Sequence, residues 1–227
     1  MRNDPSNIWA GHSFRALASR YDTNEGTTGG TDFAYGFSFQ AAGSVPQQQI
    51  WELHQRENIY SLGGHVSLAP HAILLRDGRL EYRMMTGAGI WDGRAWSSTA
   101  SYNDRIVLRP NVQADTWYDV IVRIHTSEGN DGRVEVFVRA AGEQWPTTPA
   151  WSKTGPTLPF IPGGQDPRVP TKRSTLDTVG GQSGLYLQTG LYAGSSRWNE
   201  RTQQVTLYQD NLRRYRDVAS AKSGFPQ

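Results

Sequence analysis

The sequence of 227 residues contains no cysteine. Its absence excludes disulfides, zinc–thiolate sites, iron–sulfur clusters and catalytic thiols. No apolar run approaches the ~18–20 residues of a membrane-spanning helix, and the opening residues 1–5 have no apolar run and predict no signal peptide in this chain. The net charge is only +2, which is too small to indicate a nucleic-acid-binding protein. We therefore expect neither nucleic acid nor a membrane as a partner.

Lysine is scarce, because only three of the 23 basic residues are lysines and the rest are arginines. The planar guanidinium matches carboxylate, sulfate and phosphate groups. Two explanations of this bias stay open at the level of sequence: a GC-rich genome, and an acidic ligand.

Glycine and aromatic residues are plentiful, with 24 Gly, 8 Trp, 10 Tyr and 7 Phe. Apolar residues alternate with period two in Asp32–Gln40, Trp117–His125 and Arg133–Arg139, as in half-buried antiparallel strands. Turn signals such as Asp77-Gly78 separate the runs. With roughly ten such strands and no long amphipathic helix, the sequence predicts an all-β jelly-roll sandwich of two antiparallel sheets, as one domain over residues 1–227.

Two segments interrupt this pattern, at about residues 86–104 and 140–182. Loops of this length in a compact domain are usually functional or disordered. Trp91 and Trp96 lie in the first of them. They are candidates for platforms that stack on sugar rings; the alternative is that the loops fold back as lids over the ends of the sandwich.

Two strands carry a polar face opposite an apolar one. Alternation in Gln48–His54 predicts two faces: Gln49, Trp51 and Leu53 against Ile50, Glu52 and His54. The later strand predicts another pair of faces: Leu185, Leu187 and Leu191 against Tyr186, Gln188 and Tyr192. If these strands lie side by side, their polar faces form one concave site.

These segments resemble, in order, the landmarks of a known group. The matching segments are Phe14–Leu17, Tyr35–Phe39, Glu52–His54, Trp117–Val120, Asp131–Val136, Tyr186–Tyr192 and Tyr208–Leu212. The set is similar to the concanavalin-like jelly-roll polysaccharide lyases, namely alginate, glucuronan and heparin lyase-like enzymes. Their landmarks are Arg-x-Glu, Gln-Ile-His and Tyr-Phe-Lys-x-Gly-x-Tyr strands.

Three positions depart from the landmarks: Leu17 replaces Glu, Glu52 replaces Gln, and Gln188 replaces Lys. The strand that usually precedes the arginine is short or missing. An ionised Glu52 would repel an acidic substrate, so this residue is expected to be protonated, paired with Arg, or directed at a different substrate.

The resemblance implies β-elimination in an acidic, uronic acid-containing polysaccharide, which would be the partner. It implies that Arg15 neutralises the carboxylate, that His54 is the base, and that Tyr192 is the acid, or both acid and base if neighbouring Arg lowers its pKa. The other residues expected to bind substrate are Glu52, Gln188, Tyr186, Arg56, Arg197, Trp91 and Trp96. No cofactor is expected, although some relatives bind a structural calcium. Such an enzyme is expected to be extracellular.

Two other functions fit parts of the sequence. A carbohydrate-binding module on the same fold would need no catalysis and fits the three departures; without a signal peptide, it could belong to a phage virion or tail, or to another oligomer.

A glycoside hydrolase would need two carboxylates ~5–9.5 Å apart across the cleft. Glu52 and Glu57 are an odd number of residues apart and would face opposite sides of a strand.

Overall fold

The computed structural model describes residues 14–25, 32–45, 48–55, 69–91, 96–98, 104–164, 170–171, 173–174, 184–193 and 206–226. The strands are β1 Phe14–Glu25, β2 Asp32–Ala42, β3 Gln48–Gln55, β4 His71–Arg76, β5 Arg79–Met84, β6 Gly87–Trp91, β7 Trp96–Ser98, β8 Asp104–Arg109, β9 Trp117–His125, β10 Arg133–Ala140, β11 Trp151–Thr154, β12 Pro159–Ile161, β13 Arg173–Ser174, β14 Leu185–Ala193 and β15 Thr206–Tyr215. The helix α1 spans Val218–Ser223. In the part of the chain described, no helix is long and apolar enough to cross a bilayer.

Two large sheets account for most strands. The first has the order β1-β14-β3-β4-β5-β8 and the second β11-β10-β9-β2-β15. Every pairing within these two sheets is antiparallel. The prediction of an all-β sandwich is confirmed; the limits of a single domain stay a prediction.

The core lies between the two sheets. The second sheet contributes alternate residues of β2 (Phe33, Tyr35, Phe37, Phe39) and of β9 (Val120, Val122, Ile124). The first sheet contributes Trp51, whose ring stacks on Phe37 with centroids 6.2 Å apart. Because a one-residue slip would turn these side chains toward solvent, the packed core fixes the register of each strand.

The two segments expected to interrupt the sheets contain short strands of their own. Strands β6 and β7 lie in the first and pair with Trp91 opposite Trp96. Strands β11, β12 and β13 lie in the second. Pairing satisfies backbone N–H and C=O groups that a structureless loop would leave to water.

The C-terminal helix covers part of the outer face of the second sheet. Asp217 caps α1 by accepting a hydrogen bond from the Ser220 backbone N–H. Ala221 and Phe225 then pack on Ala34, Ile121 and Phe137. This satellite cluster covers the part of the outer face around Ala34, Ile121 and Phe137.

Candidate active site

The two polar strands lie side by side. Strand β14 pairs antiparallel with β3, with Tyr186 opposite His54 and Gln188 opposite Glu52. On the other side of β3, Trp51 and Leu53 belong to the core. The condition set in the sequence analysis, that these strands lie side by side, is therefore met. Glu52, His54, Tyr186 and Gln188 share one face of the first sheet, called the polar face below.

His54 and Tyr186 form a ring pair on the polar face. Their centroids are 5.1 Å apart and their planes are inclined by 38°. Their exposed fractions are only 9% and 8%, so both rings are almost withdrawn from solvent. Such a pair offers an imidazole held against an aromatic surface.

A β-bulge corrects the predicted faces of Gln49 and Ile50. Gln49 pairs with Leu74 and Trp51 with Ile73 on β4, so Ile50 is an extra residue. The bulge turns Ile50 into the core, and the Gln49 side-chain amide instead donates a hydrogen bond to the Glu52 carboxylate. The prediction that Gln49 shares the face of Trp51 is therefore wrong, because strict alternation holds only in an unbulged strand.

Strand β1 adds a third neighbour on the far side of β14. Its Arg15 lies opposite Tyr192, and its Ser19 lies opposite Gln188. Tyr192 in turn lies opposite Gln49. In backbone register, Arg15, Tyr192 and Gln49 therefore form one row across three adjacent strands, called the Tyr192 row below.

His54 lies in a different row. It is five positions along β3 from Gln49, a distance of about 15 Å at the rise of a β-strand. His54 faces Tyr186 across the strands, whereas Tyr192 faces Gln49. The polar face thus carries two separate groups of candidate residues, and the roles assigned to them stay predictions.

Comparison with known protein families identifies the family of the chain. The chain matches the family described as polysaccharide lyase over residues 17–213. The chain belongs to this polysaccharide lyase family. This membership agrees with the resemblance seen in the sequence. No curated protein matches the lyase by sequence.

Solved structures show the fold of the lyase. An endo-β-1,4-glucuronan lyase from the fungus Trichoderma reesei has 14% identity and a TM-score of 0.59, covering 97% of this chain and 81% of its own. An alginate lyase from Aplysia kurodai has 11% identity and a TM-score of 0.49, with coverages of 82% and 70%. A family 7 alginate lyase bound to product has 10% identity and a TM-score of 0.48, with coverages of 92% and 74%. Of these three, only the fungal enzyme exceeds 0.5, and it supports the jelly-roll architecture.

Two of the three departures from the family landmarks meet in the lyase structure. Glu52 and Gln188 lie directly opposite each other, and both side chains are buried. Glu52 accepts the hydrogen bond from Gln49, so its carboxylate has an amide donor within the protein. Gln49 was missed by sequence reasoning because the alternation assigned it to the core.

The polar face of the lyase continues past β3 with a basic residue. Glu52 pairs with Ala72 on β4, and Ala72 pairs with Arg83 on β5. Leu80, Tyr82 and Met84 of the same strand belong to the core, so Arg83 is on the polar face. Period-two alternation in Arg79–Met84 was the signal that could have found it.

Other candidate residues of the lyase lie outside what the structure describes. The chain around Arg56 and Arg197 is not described, and for Arg15, Tyr192, Trp91 and Trp96 only the backbone is. Among the described residues, no three His, Asp or Glu side chains form a group that could hold a metal ion. A structural calcium stays a prediction.

Proposed function

We propose that the lyase cleaves a uronic acid-containing polysaccharide by β-elimination on the polar face of the first sheet. The observation that carries the proposal is the Tyr192 row, in which the backbone register aligns a guanidinium-bearing, a phenol-bearing and an amide-bearing residue on neighbouring strands. The fungal structure with a similar fold is a glucuronan lyase, which supports an acidic substrate.

The first requirement of the reaction is neutralisation of the substrate carboxylate. Removing the proton from C5 places negative charge next to a group that is already an anion. A cation and an N–H donor aimed at that carboxylate stabilise the developing enolate, and each such donor is worth a few kcal/mol. Arg15 supplies the cation and Gln49 the donor. Because the Gln49 amide has two N–H bonds, one can hold Glu52 while the other serves the substrate.

Proton transfer is assigned to Tyr192 alone. Arg15 is the cross-strand neighbour of Tyr192 in backbone register, and a cation near a phenol favours the phenolate form. The phenolate takes the C5 proton, the bond between C4 and O4 breaks as the C4=C5 double bond forms, and the phenol returns the proton to O4. One group thus performs both steps without a second base.

The His54–Tyr186 pair is assigned to binding a neighbouring sugar unit of the same polysaccharide. The rows are separated by ~15 Å along the strands, so we assign His54 and Tyr192 to different sugar units. Only the small exposed part of the two rings can contact that sugar, on the apolar face of the pyranose. Arg83 extends the polar face for the carboxylate of a further unit.

A substrate panel tests the reaction. The protein is incubated with glucuronan, alginate and heparin while ultraviolet absorbance of the unsaturated uronate and new reducing ends are both recorded. β-Elimination produces both signals in equal amounts on at least one polymer. Reducing ends without absorbance would show hydrolysis, and retention on a glycan column with neither signal would show a binding module.

A further inference from the structure

A cleft of about 230 Å³ lies on the outer face of the second sheet. This outer cleft is lined by residues that include Ser38, Trp117, Asp119, Asp210, Asn211 and Pro226. Ser38 and Asp119 alternate with core residues such as Phe37 and Val120. The outer cleft is therefore on the opposite side of the sandwich from the polar face.

The floor of the outer cleft is a connected polar chain. Asn211 Nδ2 donates to Ser38 Oγ at 3.1 Å, and Ser38 Oγ donates to Asp119 Oδ1 at 2.7 Å. Arg139 Nε donates to Asp119 Oδ2 at 2.8 Å. Ser38 and Asp119 are 3% and 6% exposed. The floor is thus fixed in position, and the charge of Asp119 is neutralised by Arg139.

A β-bulge directs two consecutive residues of β15 toward the same cleft. The register of β15 against β2 shifts between Asp210 and Arg213, and Asn211 adopts a left-handed φ of 56°. Bulges re-aim side chains that would otherwise alternate, and both Asp210 and Asn211 line the cleft. Asp210 is exposed, so the mouth of the cleft carries a carboxylate.

Aromatic side chains border the polar floor. Trp117 lines the cleft and lies opposite Gln40, which lies opposite Tyr208 on the next strand. Tyr208 is 52% exposed, more than any other large aromatic residue that the structure describes. The Trp117 ring beside fixed carboxylate, hydroxyl and amide groups matches a sugar ring, which has one apolar face and a rim of hydroxyls.

We propose that the outer cleft binds one neutral sugar unit of a polysaccharide. Its volume is below the ~300–1,000 Å³ of pockets for drug-sized ligands, as suits a single ring. Asp210 would repel an anionic uronate, so the ligand is uncharged and distinct from the substrate proposed for the polar face. The site goes beyond the lyase reaction and does not depend on it.

Calorimetric titration of the whole protein with neutral tetrasaccharides tests this site. The probes are β-1,4-linked glucose, mannose and xylose tetramers. Saturable binding of at least one neutral tetramer is expected. Asp210→Ala and Trp117→Ala should each weaken it about tenfold. The control Asn130→Ala, in the exposed turn between β9 and β10, should leave it unchanged.

The exposed Asp210 keeps the test informative if Trp117→Ala fails to fold. Asp210→Asn retains a hydrogen-bonding side chain, so a neutral sugar should bind within about threefold of wild type. Absence of saturable binding, or equal affinity in wild type and Asp210→Ala, would each overturn the proposal. An Asp210→Asn loss as large as that of Asp210→Ala would also overturn it, because an amide can replace a carboxylate in hydrogen bonds to a neutral sugar.

Discussion

The buried guanidinium of Arg139 links the second sheet to two segments outside it. It forms an ion pair with Asp119, donates to the Pro226 carbonyl oxygen at 2.6 Å, and lies 4.6 Å from the centroid of the Trp145 ring. Removing one partner of such a pair leaves the other charged and buried, which costs more than the pair itself contributes.

We therefore expect Arg139→Ala to lower the free energy of unfolding by about 3–5 kcal/mol, because it leaves Asp119 without its counterion. Arg133→Ala is the matched control, since Arg133 pairs with Glu135 from a half-exposed position, and should cost no more than about 1 kcal/mol. Urea unfolding measures both. Equal losses in the two variants would contradict a special role for Arg139.

His71 makes folding sensitive to mild acid. It is fully buried, and its Nδ1 lies 2.7 Å from the Tyr82 hydroxyl. Burial lowers the pKa of His71 to about 3, against the smaller raising effect of a hydrogen bond with the Thr157 backbone. Below pH ~6.5 the unfolded chain binds a proton at this residue that the folded chain does not, so stability falls as pH falls from there toward about 3.

Between pH 7 and pH 5, protonation of this imidazole in the unfolded chain should lower the free energy of unfolding by about 2 kcal/mol. His71→Gln cannot titrate and should remove that part of the pH dependence, whatever its effect at pH 7. Urea midpoints at both pH values give the comparison. The same decline in wild type and variant would show that His71 is not its source.

At the scale of strands, period-two alternation correctly predicts which side of the sheet a residue faces wherever the strand pairing is regular. The four aromatic residues of β2 and the branched residues of β9 point into the core as expected. The prediction failed at Gln49 and Ile50 because the bulge depends on how β3 pairs with β4, and the local sequence carries no glycine or other signal for it.

That bulge separates the expected roles of two neighbouring glutamines. Gln49→Ala should lower kcat by about 10²-fold, since it removes a donor to the developing charge. Gln48→Ala is the matched control, because Gln48 lies opposite the core residue Leu75 and should keep kcat within about threefold of wild type while reducing stability. Initial rates on the polyuronate that the wild type cleaves fastest give kcat for both variants. The reverse pattern would mean that Gln48, not Gln49, serves the active site.

At the scale of the whole molecule, the sequence predicted the sandwich and the family, and it offered the adjacency of β3 and β14 as a condition for one site. It did not reach the register between them. The family resemblance implies that His54 is the base and Tyr192 the acid of one reaction, yet they lie opposite Tyr186 and Gln49 respectively. Which residues stand opposite depends on pairings between segments more than a hundred residues apart, and composition or periodicity within one strand carries no information about that.

The decisive comparison is the steady-state kinetics of Tyr192→Phe and His54→Ala on the same polyuronate, followed by absorbance of the unsaturated product. If Tyr192 transfers the proton alone, Tyr192→Phe lowers kcat by at least about 10²-fold. His54→Ala then mainly raises KM and leaves the pH dependence of kcat unchanged. Loss of kcat in His54→Ala equal to that in Tyr192→Phe, or retention of kcat in Tyr192→Phe, would contradict the assignment.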